Sequence, residues 1–464
     1  MWTYFWNSCI ERWLKGQGGK CPQCNAKATR KDIRVLYAKS LKVIDTSERD
    51  RVIRELEKER EARRKLELEH AQTKLQYELK SQLVAKLQNE LKMLKNATAK
   101  SNVSAPELGM SQGISTENMN KLIIHSALDI AKDGGCRVMA YNEWLNMVVV
   151  SMPSHVSMFP GCGVKKINML DIKSERYIPV HTKQIRDMAF NPVKNDLLLT
   201  VGMDKLVKLT NVCNNAPVGS FTAESPLWSC CWNADHANQF FVGTATGLVL
   251  MYDTRNTDGP IKTIKVTGSG PVVSLCYIPW EASENSCTGG LLVARLSSCS
   301  FVLVKENEIQ DNALLLEGPF TSLSYEKSTR HFMVSCRPCQ KYPHARHLVC
   351  ELQYVDMSSS AATNNKVVAA NIIQTFKGGT TQKVLSRSSI VAHPLQAGSI
   401  LACASDESTQ STCLWDVSSG ACVQVLKCRE TVIDILLLKS NQSAFLALLT
   451  DKSVKFYKWV ELLS

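Results

Sequence analysis

Long apolar runs are missing from this chain of 464 residues. No uninterrupted stretch approaches the roughly 18 apolar residues that a membrane-spanning helix requires, so we predict no membrane segment and no membrane partner. The opening MWTYFWNS lacks a basic start, a clean apolar stretch and a small-residue cleavage site, which predicts no secretory signal. With 44% hydrophobic and 21% charged residues, the composition is typical of a soluble globular protein.

Motifs of common enzyme classes are also missing. The sequence has no nucleophile elbow, no phosphate-binding loop and no paired-carboxylate motif, so we expect no such active site in its C-terminal region. There are 55 Lys and Arg against 43 Asp and Glu, a net charge of +12 that favours acidic partners in general. Because no basic stripe is interleaved with aromatic residues, direct nucleic-acid binding is not predicted.

A disulfide framework is not predicted either. The 18 cysteines are spread over a long chain that shows no secretory signal. This combination indicates free thiols in a reducing compartment.

Glycine, proline, cysteine and tryptophan are absent from residues 46–95, which are dominated by Glu, Arg, Lys and Leu. Such a composition predicts one long charged helix that resembles a coiled coil. Its heptad pattern is interrupted at Arg63, His70 and Lys80, so self-association and a solvated single helix both remain open. Residues 96–120, rich in Ser, Asn and Ala, predict a flexible linker.

Residues 121–464 repeat one pattern: an apolar strand, a tight polar turn and a second strand. Clear copies have their turns at Asp204 and Asp451, and a third copy ends in the pair Trp415-Asp416. The turns recur roughly every 40–60 residues, the length of a four-stranded propeller blade. Seven copies predict a mainly β fold, a seven-bladed WD40 propeller, with residues 121–130 completing the last blade. A large β-sandwich is the alternative.

Residues 1–45 carry a pattern typical of metal binding. Cys21 and Cys24 flank Pro-Gln in a Cys-x2-Cys turn, which places two thiolates on one side of a loop, as half of a tetrahedral zinc site requires. Cys9 lies 12 residues before Cys21. Residues 32–37, DIRVLY, predict a short strand after the turn.

This region resembles the second half of a RING finger, a domain in which two zinc ions are held by eight ligands. The match rests on the Cys-Ile-x-x-Trp helix start at Cys9 and on the Cys-Pro-x-Cys pair. The resemblance implies Zn2+ as cofactor, with Cys21 and Cys24 on one ion and Cys9 on the other. It also implies that Trp13 and Pro22 contact a ubiquitin-conjugating enzyme.

From residue 9 to residue 460 the chain is similar to the RING finger and WD repeat domain-containing protein 3 family, RING-type ubiquitin ligases of the DNA-damage response. The segments VHTKQIRDMAF, PLWSCCW and TCLWDVSSG contribute to the match. The resemblance implies a nuclear ligase whose propeller recruits substrates such as replication protein A. Met1 and Thr3 occupy positions where the family has a cysteine and a histidine, so we expect an N-terminal truncation within the RING. A non-catalytic WD-repeat adaptor is the alternative function.

Three further patterns have structural explanations. Cys336-x2-Cys339 with His344 and His347 has spacing that suits zinc, but it also fits the loop of the fifth blade, which we favour. Alternation along a strand would send Cys230 and the next cysteine to opposite faces as packing residues. His181 stands where WD repeats place a histidine that forms hydrogen bonds inside a blade.

Overall fold

The computed structural model describes residues 7–16, 19–22, 24, 26–34, 55, 59, 121–155, 160–280, 289–304, 309–356, 366–440 and 443–460. The chain divides into two compact units, residues 1–67 and 68–464, which we describe separately. No disulfide joins any two of the described cysteines. No helix in the described part has the length and apolar character needed to cross a membrane.

The N-terminal unit contains an α-helix, α1 (Asn7–Gly16), and a short 3-10 helix (Arg30–Asp32). Between them, Lys20 and Lys27 form an antiparallel bridge. The predicted strand at residues 32–37 is wrong at its start, because the Asp32 carboxylate accepts hydrogen bonds from the amide and hydroxyl of Thr29 and closes a helical turn. Its last three residues lie outside the described part.

The predicted long helix (residues 46–95) and linker (residues 96–120) also lie outside the described residues, except for two. Glu55 and Glu59 are described, and both are helical. The coiled coil therefore stays a prediction.

The second unit is a ring of seven antiparallel sheets with four strands each, which confirms the seven-bladed propeller and excludes the sandwich. Strands are numbered along the chain, beginning with β1 (Lys121–Asp129). Blade 1 comprises β2 (Met139–Asn142), β3 (Met147–Pro153), β4 (Cys162–Asn168) and β5 (Lys173–His181). Blade 2 comprises β6 (Ile185–Phe190), β7 (Leu197–Gly202), β8 (Leu206–Asn211) and β9 (Ala216–Thr222). Blade 3 comprises β10 (Leu227–Trp232), β11 (Gln239–Thr244), β12 (Leu248–Asp253) and β13 (Lys262–Lys265).

The remaining blades follow the same order. Blade 4 comprises β14 (Val272–Ile278), β15 (Gly290–Arg295), β16 (Cys299–Val304) and β17 (Ile309–Leu314). Blade 5 comprises β18 (Phe320–Glu326), β19 (His331–Cys336), β20 (Arg346–Asp356) and β21 (Lys366–Lys377). Blade 6 comprises β22 (Ser389–Ala392), β23 (Ile400–Asp406), β24 (Ser411–Asp416) and β25 (Cys422–Lys427). Blade 7 comprises β26 (Asp434–Ser440), β27 (Ser443–Leu449), β28 (Ser453–Val460) and, as its outer strand, β1.

The first strand of each blade, called here the inner strand, packs against the inner strands of the neighbouring blades. The second strand of each blade carries buried residues on both faces, since each blade is covered by two neighbours. In β11, Phe240 packs between blades 2 and 3, and Phe241 packs between blades 3 and 4. Cys230 and Cys231 of β10 divide between the same two layers, which confirms the expected alternation.

The ring closes through β1, which pairs antiparallel with β28, as the sequence predicts. Leu122 lies opposite Trp459 and is 3% exposed, in a cluster that also contains Leu426 of blade 6. Two residues further along, Ile124 is 55% exposed. Leu122 is therefore the only fully buried residue of β1, and it anchors the closing strand.

We expect Leu122→Ala to lower the free energy of unfolding by about 2–5 kcal/mol, the range for removing a buried leucine side chain. Ile124→Ala in the same strand should change it by less than about 0.5 kcal/mol, because that side chain is exposed. Urea unfolding followed by tryptophan fluorescence measures both. Equal effects of the two variants would contradict the packing of β1 in blade 7.

Candidate cysteine hairpin and channel mouth

The two cysteines of the Cys-x2-Cys pair lie in a short hairpin. The amide of Cys21 donates to the carbonyl of Ala26 at 2.8 Å, and the amide of Ala28 donates to the carbonyl of Gly19 at 2.7 Å. Gly19 has a φ of 71°, a conformation that glycine adopts without steric strain. Cys21 is half-buried and Cys24 is exposed, so the hairpin presents at least one thiol to solvent.

Helix α1 lies against this hairpin through Trp13. Its indole Nε1 donates to the carbonyl of Lys20 at 3.2 Å, while 42% of the residue stays exposed. Pro22 in the turn is half-buried. Glu11 and Arg30 form an ion pair at 2.9 Å, which contributes little because it is largely exposed. The unit thus holds an exposed indole in a fixed position on the hairpin.

Zinc chemistry fits this hairpin only in part. Cys21 and Cys24 supply two thiolates, which are suitable ligands for half of a tetrahedral site. Cys9 is exposed on α1. Among the described residues, no three His, Cys, Asp or Glu side chains lie close enough together to hold a metal ion. The described ligands therefore do not complete a zinc site.

In the propeller, Asp204 lies in the turn between β7 and β8. Its carboxylate is 2.9 Å from Nδ1 of His181 and accepts a hydrogen bond from the amide of Thr182 at 3.0 Å. The other ring nitrogen of His181 is 2.9 Å from Oγ1 of Thr200. Burial acts to raise the pKa of Asp204, but the bonds from His181 and Thr182 outweigh it and lower that pKa. These residues tie the loop between blades 1 and 2 to blade 2.

Asp451, in the turn between β27 and β28, binds the loop that follows the closing strand. Its carboxylate accepts a hydrogen bond from the amide of Gly135 at 2.9 Å, in the loop that leads from β1 to blade 1. Gly134 has a φ of 83°, and a Cβ there would meet the Asp451 carboxylate at 2.0 Å. Only glycine allows this close approach, which fastens the end of the closing strand.

The Trp-Asp pair packs blade 6. The Trp415 ring stacks on Phe376 of blade 5 with centroids 5.0 Å apart. Asp416 accepts hydrogen bonds from the Ser418 hydroxyl at 2.6 Å and from the Ser419 amide at 2.7 Å. Burial acts to raise the pKa of Asp416, but these donors outweigh it and lower it to about 2. The contacts described for Trp415 and Asp416 are packing and turn-stabilising hydrogen bonds, which indicate a structural role.

The cysteine and histidine pattern near residue 340 forms the loop between β19 and β20, as favoured from the sequence. Cys336 ends β19 in the core, and the Nδ1 atom of buried His347 is 2.7 Å from the Ser335 hydroxyl. Burial lowers the pKa of His347 to about 4, so the ring is neutral at physiological pH. These side chains are committed to the interior of blade 5.

A second candidate site lies where the inner strands begin. We define the channel mouth by four residues at the starts of four inner strands: Arg137, Arg186, Trp228 and Arg387. Arg186 and Trp228 stand at register shifts in β6 and β10, and the Arg186 guanidinium lies 4.4 Å from the centroid of the Trp228 ring. Bulges of this kind redirect side chains and often adjoin binding sites.

Two buried carboxylates lie beneath the channel mouth. Asp187 of β6 accepts from the amide of Cys230 at 2.9 Å, and Asp434 of β26 accepts from the amide of Met139 at 2.7 Å. Arg387 also contacts Asp187, with Nη2 and Oδ1 2.7 Å apart. This ion pair joins blade 6 to blade 2 across the ring.

Comparison with known proteins agrees with this architecture. Residues 123–458 match the family described as the E3 ubiquitin-protein ligase RFWD3 WD40 domain. The chain is 37% identical to the E3 ubiquitin-protein ligase RFWD3 of Mus musculus over 97% of its length, and to that of Homo sapiens over the same share. The chain belongs to the RFWD3 family.

The match to the RFWD3 family is partial on the side of the relatives. The chain spans 59% of the length of the mouse and human proteins. A weaker similarity, 28% identity over 34% of this chain, links it to Protein NEDD1 of Homo sapiens. Membership therefore establishes an RFWD3-type propeller in a family whose named members are E3 ubiquitin-protein ligases.

Sequence reasoning missed the channel mouth of this RFWD3-family propeller. A signal was present, because six of the seven blades have a polar residue at the same position near the start of the inner strand: Asp187, Ser229, Ser274, Ser322, Ser388 and Asp434. The residue before it is Arg186 in blade 2, Trp228 in blade 3 and Arg387 in blade 6. Aligning the repeats on that polar residue would have placed these side chains around one opening.

We expect Asp204→Asn to lower the free energy of unfolding at pH 7 by about 1–3 kcal/mol, because the charged acceptor in the His181 contact is lost. The pKa of Asp204 is lower in the folded chain than in the unfolded one. Its stabilisation is therefore present above the unfolded value of about 3.9 and disappears as pH falls through the folded value.

Denaturant unfolding at pH 7 and at pH 3 tests this expectation. The difference between Asp204→Asn and the parent chain should shrink at pH 3, while exposed Asp133→Asn serves as the control at both. A difference that is the same at both pH values would contradict the role of the charge.

Proposed function

We propose that this chain acts as a RING-type E3 ubiquitin ligase, in which the cysteine hairpin unit engages a charged ubiquitin-conjugating enzyme and the propeller recruits the substrate. The observation that carries the proposal is the exposed Trp13 indole, fixed to the hairpin by its bond to Lys20. An exposed aromatic side chain held in one orientation is suited to bind a partner surface at low entropic cost. Membership of the RFWD3 family supports the same assignment.

The proposed mechanism is proximity and orientation. A ligase of this type forms no covalent bond to ubiquitin but restricts the thioester of the conjugating enzyme to a geometry that a substrate lysine can attack. Trp13 and Pro22 would supply the contact with the conjugating enzyme. The rigid propeller would hold the substrate near that thioester.

Zinc binding is part of the proposal. Cys21 and Cys24 would contribute two ligands to one zinc ion and Cys9 one ligand to another, and the bound metal would hold the folded hairpin in place. Small domains of this kind depend on their metal for stability, so the contribution would be structural.

The proposed substrates and location come from the resemblance described above. We propose replication protein A as one substrate, action in the nucleus and a role in DNA-damage repair. The RFWD3-type propeller supports the recruitment of a protein substrate, since binding loops on a rigid scaffold are a common means of recruiting a protein. Self-association through residues 46–95 would bring two such units together.

A non-catalytic adaptor is the second candidate function. One observation favours it: among the described residues, no three His, Cys, Asp or Glu side chains lie close enough together to hold a metal ion. An incomplete metal site would leave the hairpin unstable, whereas the propeller is closed and would still bind its partner.

We expect the chain of residues 1–464 to accelerate ubiquitin discharge from a charged conjugating enzyme to free lysine. Trp13→Ala should reduce the acceleration about thirtyfold or more, because loss of an aromatic hot-spot residue costs about 2 kcal/mol of binding or more. Trp144→Ala is the matched control, since that tryptophan is 80% exposed in the propeller.

No acceleration by the parent chain would reject ligase activity and leave the adaptor. Acceleration that survives Trp13→Ala would reject the proposed contact. Retention of replication protein A by the immobilised chain tests the substrate independently of discharge.

Zinc content can be measured without any activity. We expect zinc to co-purify with the chain and to fall in Cys21→Ser, because a structural site does not tolerate loss of a thiolate. Cys213→Ser, at another exposed cysteine, should leave the metal content unchanged. A parent chain without zinc under reducing, chelator-free conditions would contradict the assignment.

A further inference from the structure

The channel mouth combines side chains that are far apart in sequence. Arg186 and Trp228 come from blades 2 and 3 and stack at 4.4 Å. Arg387, from blade 6, reaches Asp187 on the other side of the ring at 2.7 Å. The Arg137 guanidinium donates to the carbonyl of Leu385 at 2.5 Å. The three guanidinium groups thus lie near one another at the starts of the inner strands.

Two donors at this opening lack an acceptor. Nε of Arg186 and Nε1 of Trp228 are buried and have no hydrogen-bond partner among the described residues. A buried donor without a partner costs free energy, so native proteins rarely keep one unless a ligand or water satisfies it. These two belong to stacked side chains, so one acceptor group could serve both.

The carboxylates at the mouth do not neutralise its charge. Asp187 and Asp434 provide two negative charges against three arginines. Their oxygens are also engaged by backbone amides, which include those of Cys230 and Met139. The surplus is therefore one positive charge in a half-buried setting, where its interaction with an anion is stronger than in water.

The crowding of the three arginines affects their pKa values. Burial, followed by the like charges of Arg186 and Arg387, lowers the pKa of Arg137 to about 10. Burial and the charge of Arg387 likewise lower the pKa of Arg186. Burial acts to lower the pKa of Arg387 too, but Asp187 and Asp434 outweigh it and raise that pKa. Arg387 is therefore the compensated cation, and the other two are not.

We propose that the channel mouth binds a compact oxyanion, a phosphate or a carboxylate, carried by a side chain of an extended peptide segment in a protein substrate. The anion accepts hydrogen bonds from Arg186 and Trp228 and neutralises the surplus charge of Arg137. This inference rests on the proposed role of the propeller in recruiting substrates and specifies the chemistry of what it recognises.

A peptide fits this opening better than a nucleic acid does. The donors form a single cluster at the ring axis, and the neighbouring inner-strand residues Val273, Thr321 and Ile433 are uncharged. A nucleic acid presents a phosphate at every nucleotide and is usually met by a basic groove or stripe. One charged side chain on a peptide needs only one such cluster.

The test uses the immobilised chain of residues 1–464 and three degenerate peptide libraries, whose fixed central residue is phosphoserine, glutamate or serine. We expect retention of the phosphoserine or glutamate library about tenfold above the serine library, since a charge-assisted hydrogen bond contributes binding energy of that order. The difference between the first two tells phosphate from carboxylate. A single-stranded DNA oligonucleotide is tested in parallel.

The variant Arg186→Gln should abolish the preference, because it removes a guanidinium that forms no ion pair within the described part of the chain. Arg176→Gln, at an exposed arginine on β5, is the charge-matched control and should retain it. Trp228→Phe keeps an aromatic ring for stacking but removes the donor, and it should weaken retention several-fold. It tests the same site if Arg186→Gln does not fold, as judged by thermal unfolding.

Equal retention of all three libraries would overturn the proposal, as would equal loss in Arg186→Gln and Arg176→Gln. Retention of the oligonucleotide instead of the peptides, dependent on Arg186, would overturn it in favour of a nucleic acid. Ubiquitin discharge to free lysine needs no substrate peptide, so Arg186→Gln should leave it unchanged. Binding of the libraries without ubiquitin discharge would therefore reject the ligase activity but support the anion site. Discharge without a preference among the libraries would reject the anion site but not the ligase activity.

Discussion

The propeller depends on how the backbone amides and carbonyls at the free edge of each inner strand find hydrogen-bond partners. An inner strand pairs with its own blade on one side only, which leaves backbone groups unpaired toward the next blade. In this chain a polar side chain of one inner strand accepts a hydrogen bond from a backbone amide of the next. Asp187 accepts from the amide of Cys230, and the Ser274 hydroxyl accepts from the amide of Leu323 at 3.1 Å. Buried backbone donors are thereby satisfied without a continuous sheet, and the blades are locked to one another around the axis.

The same constraint places the binding chemistry. The polar residue must point toward the neighbouring inner strand. The residue before it, Arg186 in β6 or Trp228 in β10, lies at a register shift, and the shift turns its side chain toward the channel mouth. Asp187 serves both the frame and the channel mouth, because its carboxylate links blades 2 and 3 and also forms an ion pair with Arg387. Removing Arg387 would leave a buried carboxylate uncompensated, whereas Arg186 forms no ion pair with any described residue and can be changed with less damage to the frame.

The sequence predicts what depends on short-range pattern. The repeat period and the tight turns identify all seven blades, the closing strand at residues 121–130 and the structural role of His181, because each follows from residues close together in the chain. Arg137 of the channel mouth could not be predicted in this way, because blade 1 has Val138 where six other blades have the shared polar residue, and Arg137 comes near Arg387 only when the ring closes. The zinc hairpin shows the same limit: the Cys-x2-Cys spacing identifies two ligands, but completion of a site depends on residues elsewhere.

The junction that closes the ring also positions part of the channel mouth. The junction between blades 7 and 1 contains the Asp434 bond to Met139, the Asp451 bond to Gly135 and Arg137 itself. If β1 left its place beside β28, the loop that follows it would lose its attachment to Asp451, and Arg137 would no longer be held near the other two arginines. Like charges separate when nothing holds them together. The closing strand therefore does more than cover an edge: by fixing this junction it keeps a cluster of mutually repelling cations in position for an anion.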